Sequence, residues 1–169
     1  MVFERKINVG DAVQIGDVAG EVQQMGMRAC TVRTWEGAEV IVPNASLTSE
    51  KVVNWTLFDR RRRIDVVVGV AYGTPPEKAL DILLRVARGH PWVLAEPAPA
   101  ALFRGFGESA LQCEMRVWTD RFDLWVQTQS ELYMGLYAAL REAEIEIPFP
   151  QREVRVRTGD GLEARDRQP

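Results

Sequence analysis

Ile64-Asp65-Val66-Val67-Val68-Gly69-Val70-Ala71-Tyr72-Gly73-Thr74-Pro75-Pro76-Glu77-Lys78-Ala79-Leu80-Asp81-Ile82-Leu83-Leu84-Arg85-Val86-Ala87-Arg88-Gly89 changes its hydrophobic period half-way along. Ile64, Val66, Val68 and Val70 recur every second residue, the spacing of one face of a strand. Beyond Thr74-Pro75-Pro76, the residues Ala79, Ile82, Leu83 and Val86 fall at i, i+3, i+4 and i+7, the stripe of an amphipathic helix. Thr74 or a neighbour is positioned to cap that helix, the prolines suit its first turn, and Gly89 ahead of His90-Pro91 ends it.

Downstream, residues 101–106 read as a strand, Gly107-Glu108-Ser109 as a hairpin turn, and Leu111, Cys113, Met115 and Val117 alternate with Gln112, Glu114, Arg116 and Trp118. A second helix is predicted over 124–143, with Trp125, Leu132, Leu136 and Leu140 on one stripe and Tyr133 and Tyr137 beside it. After Pro148-Phe149-Pro150, residues 153–157 alternate once more. The order β-α-β-β-α-β is the ferredoxin-like pattern, and by pattern alone the last strand closes a four-stranded sheet.

Upstream, the text is different. Short alternating runs at 12–15, 20–25, 29–35 and 39–42 are broken by Gly16-Asp17 and Glu36-Gly37, and Pro43-Asn44 stops the last of them. These four runs, within a stretch reaching to about Asn54, predict a compact all-β unit, expected to be a small five-stranded Sm-like domain. The charged string Asp59-Arg60-Arg61-Arg62-Arg63 marks the boundary. The fold class expected is therefore α+β: a small β domain at 1–58, an α/β domain at 59–151, a terminal strand at 152–158, and a polar, aperiodic tail at 159–169 expected to be disordered.

Composition narrows the function classes. With 46% hydrophobic and 27% charged residues the chain is balanced for a globular fold, and a net charge of -3 gives no overall attraction for polyphosphate. Cys30 and Cys113 each sit in an alternating apolar run and read as small buried hydrophobes in a reducing compartment. The longest apolar run, from Val66 to Tyr72, is strand-sized, so no membrane span is expected here. The first residues lack the apolar centre of a secretory signal.

No catalytic set stands out. The single histidine, His90, lies in a helix-exit loop with no serine or cysteine nucleophile motif around it. Two distant cysteines and one histidine do not make a zinc site, and Asp11, Asp17, Asp120 and Asp123 lack calcium-loop spacing. The glycines of Arg104-Gly105-Phe106-Gly107 and Gly69-Val70-Ala71-Tyr72-Gly73 match no phosphate-loop pattern. No catalytic residue, metal ligand or cofactor is expected.

Taken together, Val9-Gly10-Asp11-Ala12-Val13-Gln14-Ile15, Gly20-Glu21-Val22, Thr31-Val32-Arg33-Thr34-Trp35-Glu36-Gly37, Val40-Ile41-Val42-Pro43-Asn44 and Val53-Asn54-Trp55-Thr56 are similar to the signature of MscS-type mechanosensitive channels. The resemblance continues through Gly69-Val70-Ala71-Tyr72, Arg116-Val117-Trp118 and Ile147-Pro148-Phe149-Pro150-Gln151. It implies the cytoplasmic portion of an inner-membrane homo-heptamer, with membrane helices upstream. The β and α/β domains would build a hollow vestibule passed by ions and small osmolytes. It also implies motif positions at Gly10, Asp11, Gly20, Arg33, Gly37, Pro43, Asn44 and Asn54, with Asn44 near the base of the pore helix. Gly10-Asp11, Gly20 and Glu36-Gly37 also have a scaffold reading where the small sheet must turn, and Pro43-Asn44 where it exits. The resemblance sends the last strand, with Val154 and Val156, into a barrel shared between subunits instead of the ferredoxin-like sheet.

Two other functions compete with this one. An RNA-binding Sm-like or RRM-like module shares the strand order, but the central strands carry no aromatic residue where bases would stack, and Asp59 and Asp65 flank the arginines. A small-molecule or nucleotide regulatory domain is the third alternative.

Overall fold

The computed structural model describes residues 7–154. Five strands come first: β1 (Ala12–Ile15), β2 (Val18–Met25), β3 (Ala29–Thr34), β4 (Glu39–Pro43) and, after the short helix α1 (Ser46–Ser49), β5 (Val52–Asn54). They form one antiparallel sheet in the order β4-β3-β2-β1-β5. Val13, Ile15, Val22, Cys30, Val32 and Val42 form its buried cluster, the inward set that the period-two alternation selects.

The second half runs β6 (Arg62–Val70), α2 (Pro76–Gly89), β7 (Ala100–Phe106), β8 (Leu111–Thr119), a single 3-10 turn (Phe122–Leu124) and α3 (Trp125–Glu142). Its antiparallel sheet has the order β6-β8-β7, which is the ferredoxin-like arrangement of a first, third and second strand. Both helices lie on one face, α2 over β8 and β7 and α3 over β6. Ile64, Val66 and Val70 from β6, Ala79, Ile82 and Leu83 from α2, Cys113, Met115 and Val117 from β8, and Leu132, Leu136 and Leu140 from α3 close the larger core. The α+β class and its two-part architecture agree with the sequence reading.

Details differ. Thr74 does not cap α2: extended Pro75 occupies the cap position without a side-chain hydrogen bond, and Pro76 opens the helix with its fixed φ. Helix α3 ends in paired capping bonds, Ile145 N–H to the Leu140 carbonyl at 2.9 Å and Glu144 N–H to the Arg141 carbonyl at 3.1 Å. Glu144 takes the left-handed position (φ 55°) that glycine usually fills, and Ile145 folds back into the core.

That turn decides where the chain goes next. Ala71 N–H, just past β6, donates to the Glu146 carbonyl (2.9 Å), and Gln151 N–H donates to Ser109 Oγ in the β7–β8 hairpin (3.0 Å). Residues 145–151 therefore cross the end of the sheet. The edge of β6 where a fourth strand would pair is engaged by α3: Gln129 Nε2 donates to the Asp65 carbonyl at 3.0 Å, and Val67 N–H donates to the Tyr133 hydroxyl at 3.3 Å. The pattern-based fourth strand is thus not formed by Glu153 and Val154, which have no regular structure. The remainder of that strand, Val156 included, and the tail at 159–169 lie outside the described residues.

Candidate functional site

The motif positions of the β unit gather in three places. The first ties its two ends together. Asp11 Oδ2 accepts from Asn54 Nδ2 and from Asn8 N–H, each at 2.8 Å. Asn54 Oδ1 accepts from Thr56 N–H (3.0 Å), Thr56 Oγ1 accepts from Ala12 N–H (2.9 Å), and Trp55 N–H reaches the Ala12 carbonyl (2.9 Å). Gly10, at φ 90°, turns the chain into this clasp and donates its N–H to the Val22 carbonyl at 2.8 Å.

The second place is the β2–β3 crossing. A Cβ on Gly20 would stand 2.1 Å from the Arg33 carbonyl oxygen, so only glycine lets the two backbones approach this closely. The exposed Arg33 side chain stands in register between Glu21 on β2 and Glu39 on β4, opposite-sign neighbours across the sheet. Gly37 sits at the tip of the β3–β4 hairpin with φ 92°.

The third place is the exit of β4. Asn44 N–H donates to the Arg28 carbonyl (2.8 Å), and its Nδ2 donates to the Gly26 and Met27 carbonyls (3.2 and 3.1 Å). Asn44 thereby pins the β2–β3 turn, on which Met27 is 99% exposed. Its Oδ1 is buried and has no hydrogen-bond partner among the described residues. Pro43 closes β4 beside Ala29. Asn44 is thus not joined to the Asp11–Asn54 clasp. Val154 is exposed and far along the chain from all three.

Sequence reasoning missed two clusters. On the sheet face away from the helices, the Glu114 carboxylate is buried beneath Arg116, whose Nε donates to Oε1, and Arg104, whose Nη1 lies 2.9 Å from Oε2. These contacts hold the Glu114 carboxyl below the usual carboxylate range, the Arg116 hydrogen bond contributing most. The second is at the boundary between the halves. The Arg62 guanidinium lies 3.9 Å from the Trp125 ring centroid, 4.9 Å from Trp55 and 5.2 Å from Phe122. Its desolvation there pulls its pKa below the ordinary arginine value. A signal existed: extending the inward parity of Ile64, Val66 and Val70 back by two residues lands on Arg62.

The other arginines of the run are engaged too. Arg61 pairs with Asp59 (2.7 Å), Arg63 with Asp65 (2.9 Å), and Arg60 lies 3.8 Å from Asp123. A run whose members are committed to carboxylates and rings presents no phosphate-binding patch, which leaves the RNA-binding alternative without support. His90 is also fixed locally: Nδ1 accepts from Trp92 N–H (3.2 Å) and Nε2 lies 3.0 Å from Glu131 Oε2. Burial raises both thiol pKa values, as expected for structural cysteines. Among the described residues no group of three or more His, Cys, Asp or Glu could hold a metal ion, and no helix is long and apolar enough to cross a membrane. An open groove of about 510 Å³ lies between the start of α2 and the end of α3, lined by Lys78, Asp81, Arg85 and Ala143 among others. Lys78 Nζ in it donates to the Ala143 carbonyl (3.1 Å).

Two sequence profiles divide the chain as its two sheets do. Residues 1–57 match "Mechanosensitive ion channel, beta-domain", and residues 64–147 match "Mechanosensitive ion channel MscS, C-terminal". This chain belongs to the MscS-type mechanosensitive channel family. Among its MscS-family relatives, the mechanosensitive channel MscK of Escherichia coli is 36% identical over 96% of this chain and 15% of its own length. An uncharacterized MscS family protein of Archaeoglobus fulgidus is 32% identical over 91% of this chain and 54% of its own length. The crystal structure of Helicobacter pylori MscS in a closed state superposes with a TM-score of 0.84 at 25% identity, covering 92% of this chain and 61% of that one. The chain thus spans between about one-seventh and three-fifths of these relatives. The MscS family consists of membrane channels, and these relatives carry channel or MscS-family names, none an enzyme's.

Proposed function

We propose that this chain is the cytoplasmic vestibule portion of an MscS-type channel subunit, joined in the intact protein to upstream membrane helices at the cell inner membrane. Residues 1–58 form the β domain beneath the pore, and residues 59–151 form the vestibule wall. Seven copies enclose a chamber whose side openings pass ions and small osmolytes during hypo-osmotic shock. Residues 152–158, carrying Val154 and Val156, contribute one strand to a barrel shared between subunits.

The observation that carries this reading is the fit of consecutive channel modules to both halves of one chain, together with a superposition that extends across the boundary between them. Two local features support its parts. The chain after α3 leads across the sheet end toward the β7–β8 hairpin, a direction suited to a strand that leaves its own sheet. The buried Oδ1 of Asn44, unpartnered among the described residues, offers an acceptor at the β4 exit, the position assigned here to contact with the pore helix.

Cells lacking their own mechanosensitive channels test the proposal when supplied with the complete gene product. Survival of a sudden dilution out of high-salt medium is expected. Lysis at the rate of cells carrying an empty vector, with the protein present in the membrane fraction, contradicts it.

A further inference from the structure

The two halves of the molecule have separate hydrophobic clusters that share no residue. Between β5 and β6, residues 55–61 have no regular structure. Such a connection alone sets no fixed angle between the units. Yet one side chain is gripped from both sides. Trp55, immediately after β5, faces Arg62 from the β unit, while Phe122 and Trp125 face it from the foot of α3. Trp35, next to the β3–β4 hairpin tip, brings a second β-unit ring to within 6.2 Å of Phe122.

We propose that Arg62 is a latch that locks the β unit and the α/β unit into one relative orientation, its guanidinium held between Trp55 on one side and Phe122 and Trp125 on the other. The chemistry suits arginine in particular. A guanidinium is planar and weakly hydrated, so it stacks on ring faces and tolerates the loss of water better than an ammonium. Among the described residues no carboxylate pairs with Arg62, whereas Arg60, Arg61 and Arg63 each have one. Ring attraction is therefore what offsets the desolvation of this half-buried cation. The contact also resists salt, because it is short-ranged and partly buried, unlike the exposed Arg60–Asp123 pair.

In the channel, a meaning that rests on the function proposed above, a closed latch makes the vestibule wall follow any displacement of the β unit beneath the pore. An open latch uncouples them. The latch itself is testable without any current.

The test uses the whole chain in solution, with two readouts: calorimetric unfolding, and the rate of limited trypsin cleavage after Arg60 or Arg61, identified by fragment mass. Wild-type protein is expected to unfold in one transition and to resist cleavage at the joint. Arg62→Gln is expected to split the transition in two and to speed cleavage after Arg60 or Arg61 by about tenfold, the scale of a desolvated cation–ring contact. Arg62→Lys should fall between. Trp55→Leu keeps the cation and removes a half-exposed ring outside both cores, so it serves where Arg62→Gln does not fold; it should loosen the joint in the same way. In the double variant the two effects should not add, since both remove one contact. Two transitions already in the wild type, unchanged cleavage in both single variants, or additive effects overturn the latch. So does 1 M NaCl reproducing the loosening in wild-type protein, which would identify the Arg60–Asp123 ion pair as the tie.

Discussion

Asn54 donates through Nδ2 to Asp11 Oδ2 at 2.8 Å, joining the residue just before β1 to the residue that ends β5, 43 positions later. The strands they flank are hydrogen-bonded neighbours, with Val13 opposite Asn54. The side-chain bond therefore fixes where the chain enters the β unit relative to where it leaves for the arginine run.

Asp11→Ala removes the acceptor for both Asn54 Nδ2 and Asn8 N–H. The loss should be about 1.5–3 kcal/mol, the range for a hydrogen bond to a charged group, read as a lower urea midpoint at unchanged slope. Asn54→Asp should also destabilise, by facing two carboxylates. Exchanging the pair, Asp11→Asn with Asn54→Asp, should recover part of the loss, because donor and acceptor merely change sides.

Glu114 gives a pH signature. Its carboxyl titrates below its ordinary value, so the stability it contributes is present above about pH 4.3, the unfolded carboxylate value, and fades as pH falls through the lowered folded value. The gap in thermal midpoint between wild type and Glu114→Gln should accordingly be widest near neutral pH and close under acid conditions. A gap that stays constant down to pH 2 would assign the effect to packing instead of charge.

Glu144 sits in left-handed backbone at the end of α3, a conformation that costs a side chain roughly 1 kcal/mol. Glu144→Gly should therefore stabilise the α/β unit by about that amount, with no change in helix content by circular dichroism. A lower melting temperature would show that the carboxylate makes a compensating contact.

Tyr133 accepts the outward Val67 N–H of β6. Tyr133→Phe should leave the fold intact and speed hydrogen exchange at Val67 by roughly tenfold relative to its inward-facing neighbours on the same strand. Unchanged exchange would mean that another partner guards that edge.

Much of this was legible beforehand because periodicity reports burial directly. Ile64, Val66 and Val70 are buried where alternation placed them, as are Leu132, Leu136 and Leu140 where the helical stripe placed them. The path of residues 145–151 was not, for a reason outside the alternation that follows them. Alternation at 153–157 says only that one face is apolar, while the direction of the chain is set earlier by Glu144, Ile145 and Glu146 and by side chains of α3 that occupy the β6 edge. Arg62 belongs to the charged string at the domain boundary, and a run of charges in a sequence is usually a solvated face. Its rings come from positions 55, 122 and 125, and no local pattern joins them. The individual contacts of Asp11, Asn44 and Glu114 were likewise invisible, because hydrogen-bond partners 17 to 43 residues apart, or a carboxylate buried under two arginines, depend on strand register. Only their neighbourhood in turns and strands could be read.

The central claim, that this chain is part of a tension-gated channel, is tested most directly by patch recording from membranes holding the complete gene product in cells without other mechanosensitive channels. Suction on the patch is expected to open discrete conductance steps at tensions below rupture. Patches that rupture without such steps, while the protein is demonstrably in the membrane, would contradict the account.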